Sequence, residues 1–320
     1  MARTGKVGCA GILVADTFCG PLPEMPPEGS LVAVDDLPDK AGGCAGNVSI
    51  DLARQGVPVE LLGCLGNDAG AEVLRRCLEL EGVSCDALIT TDEATTSKTV
   101  ILLIEGQDRR FIHTFGANAT FRVEHISRSW LDGLSIFYLG GLFALPGIDA
   151  RALAEVLAYC REKRIVTVLD VVVSGDFDRA DDLRAVLPMT DYFLPNDDEA
   201  RIITGAADPD SQVAALADWG AETVIVTLGR DGCIAGRDGR TWRAGVYEMD
   251  VVDPTGCGDA FASGVIAAIA SGAEMSEMIQ YASAIGASAT RAVGTTDGVW
   301  GREETEAFVK EHPLDVRHET

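Results

Sequence analysis

The residues best suited to chemistry lie in one seven-residue segment, Asp-Pro-Thr-Gly-Cys-Gly-Asp, at positions 253–259, just before an Ala-rich apolar stretch typical of a buried helix. Gly256 and Gly258, on either side of Cys257, would let successive backbone N–H groups turn toward one point, where the helix N-terminus adds positive potential. Such a site binds a phosphoryl group, and the Asp259 carboxylate beside it could accept a proton from an attacking hydroxyl. The alternative is that Asp259 only caps the helix, which is the commoner role for an isolated aspartate at this place.

Three other places carry polar or glycine-rich patterns with weaker chemical meaning. Asn196 and Glu199 follow a short predicted strand, where both could cap a helix. The segment 227–232, Thr-Leu-Gly-Arg-Asp-Gly, follows a predicted strand and suits a simple strand-to-hairpin turn, which Asp-Gly favours. Asp16 follows the first predicted strand, where a carboxylate could accept two sugar hydroxyls or cap a loop.

These segments resemble the two signature motifs of the PfkB or ribokinase family of carbohydrate kinases. Residues 253–259 are similar to the C-terminal signature, and residues 42–49, Gly-Gly-Cys-Ala-Gly-Asn-Val-Ser, are similar to the N-terminal one. Cys257 departs from the family's usual alanine, but only its backbone N–H is needed. Ribokinase proper has a lysine at the position of Cys44 and a glutamate where this chain has the pair at 140–141, so the resemblance does not favour ribose as the substrate.

The resemblance implies an ATP-dependent kinase in which Asp259 is the base and the backbone of Gly256, Cys257 and Gly258 forms the anion hole. Its motifs assign sugar binding to Asp16, Gly42, Gly43, Asn47 and Asn118, nucleotide binding to Asn196, Thr227, Gly229, Gly232 and Ser283, Mg²⁺ binding, largely through water, to Glu199 and Asn196, and K⁺ binding to Asp253 and Thr255 in members that use it.

Two other functions fit the same resemblance. A nucleoside kinase on the same scaffold would need a base-stacking pocket, and an aromatic content of 6% mildly opposes one. A catalytically silent sugar- or nucleotide-sensing protein would need no base, so the intact Asp259 opposes that role. The sugar itself stays open among ketoses, aldoses, sugar acids and inositols.

The elements that must position these residues alternate along the chain between apolar strands and helices. This order predicts an α/β fold with a parallel sheet covered on both faces. The resemblance makes the fold a three-layer α/β/α sandwich of the ribokinase type over one domain, residues 1–320. Extra strands at about 17–40 and 95–114, among them Leu31–Leu37, do not fit the alternation and are expected to form a small β-sheet lid. Longer strands are expected at Val7–Val14 and Ile165–Val173.

Composition limits the partners. A net charge of −24 disfavours nucleic acid and anionic membranes, which are polyanions. With nine cysteines, no C-x-x-C pair and four histidines, a zinc site is disfavoured and a reducing, cytoplasmic location is expected. No apolar run is long enough to cross a bilayer.

The lid strands also predict a homodimer. Leu31, Ala33 and the run Val100–Ile104 supply more apolar surface than one small sheet needs over its own cleft. Open sheet edges tend to be paired or covered, and related kinases often clasp two lids together. The sequence therefore predicts a symmetric contact through the lid.

Overall fold

The computed structural model describes residues 5–107, 109–173, 175 and 177–319. Its strands are β1 (Lys6–Gly11), β2 (Val14–Leu22), β3 (Asp39–Gly42), β4 (Val59–Leu62), β5 (Cys64–Gly66), β6 (Ile89–Thr91), β7 (Lys98–Ile104), β8 (Arg110–Thr114), β9 (Leu134–Gly140), β10 (Val166–Leu169), β11 (Tyr192–Phe193), β12 (Thr223–Thr227), β13 (Cys233–Arg237), β14 (Arg240–Ala244) and β15 (Val316–Glu319).

Nine of these strands form the main sheet in the order β4-β1-β9-β10-β11-β12-β13-β14-β15. The first six run parallel, as the sequence predicts, whereas the last three are antiparallel. The helices are α1 (Cys44–Arg54), α2 (Ala69–Leu80), α3 (Arg128–Leu131), α4 (Ala150–Lys163), α5 (Ala180–Val186), α6 (Asp197–Thr204), α7 (Pro209–Asp218), α8 (Cys257–Ser271), α9 (Met275–Ala289) and α10 (Arg302–Glu311).

Alternate residues of the parallel strands enter two separate cores, because successive side chains of a strand point to opposite faces. Ile136 and Ile225 pack with apolar residues of α1, α2, α8 and α9. Phe137 and Val224 pack with α4, α5, α6 and α7 on the other face. The sheet is therefore the middle of three layers, and the predicted α/β/α sandwich is confirmed.

The predicted extra strands pair with each other beside the main sheet. They form a four-stranded sheet in the order β3-β2-β7-β8, which we call the lid sheet. Parallel strands β2 and β7 lie at its centre, and Asp16 of β2 is the register partner of Thr99. A separate pair, β5 and β6, was not predicted.

Three predicted elements have different bounds. Residues 31–37 form no strand: they pair with no strand of the lid sheet, in which β3 begins only at Asp39, and Leu31 remains 90% exposed. The strand predicted at 7–14 ends at Gly11, and a new one starts at Val14 in the lid sheet. The strand predicted at 165–173 ends at Leu169, after which the chain leaves the sheet at Asp170.

Across the described part of the chain, no helix combines the length and apolar character needed to span a membrane. All nine cysteines are free, and five of them are buried, as expected for small core residues.

Candidate active site

The loop that ends at Asp259 has a backbone geometry suited to binding an anion. Gly256 precedes α8 with φ +80°, and a Cβ there would lie 2.1 Å from the carbonyl oxygen of Thr295, so only glycine fits. A Cβ on Gly258 would meet nothing within 4 Å, which leaves open space beside the first turn of the helix. The 15 residues of α8 direct their N-terminal N–H groups and the positive end of the helix dipole at this space.

Asp259 lies in that first turn and contacts helix α1. The Asn47 side-chain amide donates to Asp259 Oδ2 at 2.7 Å across 212 residues of sequence. Burial raises the pKa of Asp259, although hydrogen bonds from Asn47 and the Cys44 thiol oppose the rise. The two signature segments therefore meet at one carboxylate, and neither contact is a helix-capping contact.

Asp16 joins the same group from the lid sheet. It is 5% exposed, and a Cβ on Gly42 would lie 1.9 Å from Asp16 Oδ2, so the glycine makes room for the carboxylate. Burial raises the pKa of Asp16 to about 7; the Thr99 hydroxyl opposes the rise and the charge of Asp259 adds to it. Gly43 has φ +84° and precedes α1, where a Cβ would meet the Ile12 carbonyl oxygen at 2.5 Å.

Asn118 has a different placement. Its amide donates to the Leu13 carbonyl at 2.9 Å, and its Oδ1 accepts from the Leu13 N–H at 3.1 Å. The side chain is 1% exposed. Asn118 therefore holds the backbone between β1 and β2, three residues before Asp16. Its side-chain oxygen and nitrogen are both used in these hydrogen bonds.

A third carboxylate, Asp170, was not singled out in the sequence. It directly follows β10 at the carboxyl end of the parallel sheet, the one signal that could have identified it. One oxygen of Asp170, one of Asp259 and the Cys44 sulfur lie within 4.8 Å of one another. Burial, with the charges of Glu199 and Asp259, raises the pKa of Asp170 well above its ordinary value, while the Tyr138 hydroxyl donates to Oδ2 at 3.0 Å.

Glu199 and Asn196 form a reciprocal cap on α6. The Glu199 N–H donates to Asn196 Oδ1 at 2.9 Å, and the Asn196 N–H donates to Glu199 Oε2 at 3.0 Å. Burial raises the pKa of Glu199 to about 7, backbone donors oppose the rise, and the charge of Asp259 adds to it. The capping alternative is thus present, and Glu199 still lies near enough to interact with the carboxylates of the site.

The predicted nucleotide turn follows β12 beside α6. Thr227 pairs with Asn196 in an isolated parallel bridge, so the two segments lie side by side. Gly232 has φ +94°, and a Cβ there would lie 1.9 Å from the Ala244 carbonyl oxygen, whereas a Cβ on Gly229, with φ +57°, would meet no atom within 4 Å. Ser283 of α9 lies near Cys233 at the start of β13, next to this turn.

Asp253 opens the anion-site loop and is 5% exposed. The Thr255 N–H and hydroxyl donate to its Oδ1 at 2.9 and 2.5 Å, and the Gly294 N–H donates to its Oδ2 at 3.1 Å. Burial acts to raise the pKa of Asp253, but these donors and the charge of Arg109 outweigh it and lower the pKa. The K⁺ predicted at Asp253 and Thr255 stays a prediction.

The model of the pfkB family of carbohydrate kinases matches residues 7–301. Ribokinase from Haemophilus influenzae is 23% identical over 84% of this chain and 87% of its own. Aminoimidazole riboside kinase from Salmonella typhimurium is 25% identical over 88% of this chain and 94% of its own. In fold, the chain is similar to a ribokinase-type protein from E. coli in complex with ATP and Mg²⁺, with a TM-score of 0.84, 22% identity and coverage of 97% and 100% of the two chains.

Proposed function

Because the chain belongs to the pfkB family of carbohydrate kinases, we propose that it transfers the γ-phosphoryl group of ATP to a sugar hydroxyl, with Asp259 as the general base. The observation that carries the proposal is the Asp259 carboxylate at the first turn of α8, beside a glycine-flanked loop and in contact with Asn47 of α1.

Asp259 takes the proton of the sugar hydroxyl. The hydroxyl oxygen forms a bond to the γ-phosphorus, the bond from that phosphorus to the bridging oxygen breaks, and ADP leaves with the electron pair. The raised pKa of Asp259 makes its carboxylate a stronger proton acceptor than an ordinary aspartate. Asn47 fixes the orientation of the carboxylate through its hydrogen bond to Oδ2.

The backbone N–H groups of Gly256, Cys257 and Gly258 stabilise the transferred phosphoryl group. Their position at the N-terminus of α8 supplies fixed donors and positive potential without reorganisation during the reaction. The open space at Gly258 leaves room for this group.

Sugar binding falls to Asp16, Gly42, Gly43 and Asn47 at the junction of the lid sheet and α1, with Asn118 as the residue that positions the Leu13 backbone behind them. Asp16 can accept two sugar hydroxyls, and Gly42 keeps the space that its carboxylate needs. We propose that the lid sheet, which carries Asp16 in β2, covers the bound sugar on this side.

Nucleotide binding falls to the turn with Thr227, Gly229 and Gly232, together with Asn196 and Ser283. Magnesium fits the neighbouring acidic groups because it prefers a few oxygen ligands. When bound, Mg²⁺ neutralises charge on the ATP phosphates. Glu199 and Asn196 would hold it, largely through water, and Asp170 is the additional carboxylate that the structure places next to Asp259.

A nucleoside kinase and a silent sensor remain the competing functions, and one experiment separates all three. Purified protein is tested with ATP, Mg²⁺ and a panel of sugars, sugar acids, inositols and nucleosides, with ADP release as the readout. We expect at least one sugar-dependent rate. Release only with nucleosides would favour a nucleoside kinase. Ligand-induced thermal stabilisation without any ADP release would favour a sensor.

A symmetric homodimer through the lid sheet is also part of the proposal. Val100, Phe111, Ile112 and Phe115 on this sheet and its flank are 37–64% exposed, and such an apolar patch suits a self-complementary contact. Leu31 and Ala33 contribute no strand to it. Light scattering at micromolar concentration should give a dimer mass, and Ile112→Lys should halve it, with Val172→Lys, exposed elsewhere, as the control. A monomer mass with full activity would remove the dimer from the mechanism.

The remaining partners and the location follow from charge and cysteine usage. A net charge of −24 opposes binding to nucleic acid or anionic lipid, and nine free cysteines suit a reducing cytoplasm.

A further inference from the structure

An arginine from the lid sheet reaches the start of the anion-site loop. Arg109 directly precedes β8, and its Nη1 donates to Asp253 Oδ1 at 2.5 Å. The pair is mostly shielded from solvent, with side-chain exposures of 22% for Arg109 and 6% for Asp253. A guanidinium at this distance and depth contributes a full, weakly screened positive charge to the carboxylate.

A lysine from the opposite edge of the lid sheet reaches the segment that faces this loop. Lys40 of β3 donates from Nζ to the Val293 carbonyl at 3.0 Å and to Asp297 Oδ1 at 2.8 Å. That carbonyl belongs to the same peptide group as the Gly294 N–H, which donates to Asp253. One peptide group therefore links the Lys40 ammonium to Asp253.

These contacts leave a monovalent cation poorly matched to the site. Asp253 Oδ1 already accepts from the Thr255 N–H, the Thr255 hydroxyl and Arg109, and Oδ2 accepts from Gly294. A cation bound to this carboxylate would have to displace Arg109 or lie beside it against like-charge repulsion. The Val293 carbonyl, a ligand of the kind such an ion uses, is engaged by Lys40.

We propose that Arg109 and Lys40 supply, from within the chain, the positive charge that a monovalent cation would place beside the anion hole, so that the enzyme requires no such ion. The proposal rests on the proposed kinase function for its rate measurements. Both residues are positioning residues, because they act through the backbone around Asp253 and Gly294. The segment they hold supports the anion hole directly, since the Thr295 carbonyl abuts Gly256.

Lys40 lies in the lid sheet and Arg109 directly precedes its strand β8. The contacts of these two side chains therefore couple the lid sheet to the anion-site loop. A lid displaced from the core would withdraw Arg109 from Asp253 and Lys40 from Val293 at once. The anion-site loop would then be held correctly only while the lid lies over the sugar.

The test compares Arg109→Gln with Arg110→Gln, whose side chain donates only to Gln107 among the hydrogen bonds of the described residues. Melting temperature and kcat are measured in KCl, NaCl and tetramethylammonium chloride at equal ionic strength. We expect the wild type and Arg110→Gln to give the same values in all three salts. Arg109→Gln should lose about tenfold in kcat in tetramethylammonium, and K⁺ should restore part of the loss by occupying the vacated position at Asp253.

A wild-type rate or melting temperature that rises in K⁺ over tetramethylammonium would overturn the proposal, and so would an Arg109→Gln variant that behaves like Arg110→Gln in every salt or that K⁺ does not restore. Lys40→Gln should show a smaller loss, with Lys6→Gln as a matched control because Lys6 pairs with Glu60 in the main sheet. If no sugar is phosphorylated, the kinase function fails, while the melting temperatures still decide whether the ion binds.

Discussion

Asp253 and Asp259 stand at the two ends of one loop, yet their surroundings shift the pKa values of their carboxyl groups in opposite directions. Asp253 accepts hydrogen bonds from Thr255 and Gly294 and pairs with Arg109, and its pKa is lowered. Asp259 lies among other carboxylates, accepts from Asn47 and Cys44, and has a raised pKa. Two titratable groups pushed apart in this way have different roles. Asp253 is suited to stay ionised and fix the loop, and Asp259 is suited to take up a proton.

The largest effect should come from removing the proton acceptor at one end of the loop. Asp259→Asn keeps the shape of the side chain and should lower kcat by about a hundredfold or more, because the amide cannot take the hydroxyl proton. ATP affinity, measured by calorimetry, should change little.

The control is Asp250→Asn, which changes an exposed carboxylate shortly before the loop. This variant should retain the wild-type rate. Turnover of Asp259→Asn close to that of the control would show that Asp259 is not the base.

Part of the surroundings of Asp253 and Asp259 could be predicted from the sequence, because residues close to them in the chain belong to the same loop. Gly256 and Gly258 identify the anion site, and the N-terminal signature identifies Asn47. Two charged residues beside these aspartates, Arg109 next to Asp253 and Asp170 next to Asp259, could not be predicted. Arg109 and Asp170 arrive from distant segments through the packing of the lid sheet and the carboxyl edge of the main sheet, and neither lies in a motif.

The incorrect strand at 31–37 has a related cause. Its apolar residues match a strand pattern, but pattern alone does not reveal whether a sheet edge is available. The segment pairs with no strand of the lid sheet and leaves Leu31 exposed. Local sequence patterns thus identified the motif residues of the site. They could not reveal which distant residues or strands would lie beside them.

A second, smaller effect should appear in the pH dependence of the rate. Asp16 must be ionised to accept sugar hydroxyls, and its pKa lies at about 7. As pH falls through that value, the Asp16 carboxyl group becomes protonated. In the acidic limb, kcat/KM should therefore approach a decrease of about tenfold for each pH unit. Asp253 contributes nothing to this limb, because its lowered pKa keeps it ionised throughout.

The Thr99 hydroxyl opposes the rise in the pKa of Asp16, so Thr99→Val should shift the acidic limb to higher pH. Thr114→Val, on the exposed strand β8, is the control and should leave the profile in place. Rates that stay constant from pH 5.5 to 8.5, with the fold intact by circular dichroism, would contradict the role of Asp16.

The smallest effect concerns Asp51, whose carboxylate, unlike those of Asp253 and Asp259, accepts no hydrogen bond from the described residues. Asp51 of α1 is fully buried, and neither of its carboxylate oxygens accepts a hydrogen bond from the described residues. Burial raises its pKa well above the ordinary value, and the charge of Arg54 only partly opposes the rise. Between the unfolded and folded pKa values the native protein holds a proton that the unfolded chain has released. The free energy of unfolding therefore falls as pH increases, by up to about 1.4 kcal/mol per pH unit.

Asp51→Ala removes this group and its pH dependence. The melting temperature of the variant minus that of the wild type should therefore rise from pH 6 to pH 8. A difference that does not change with pH would mean that the Asp51 carboxylate has a partner that lowers its pKa, as Asp253 does.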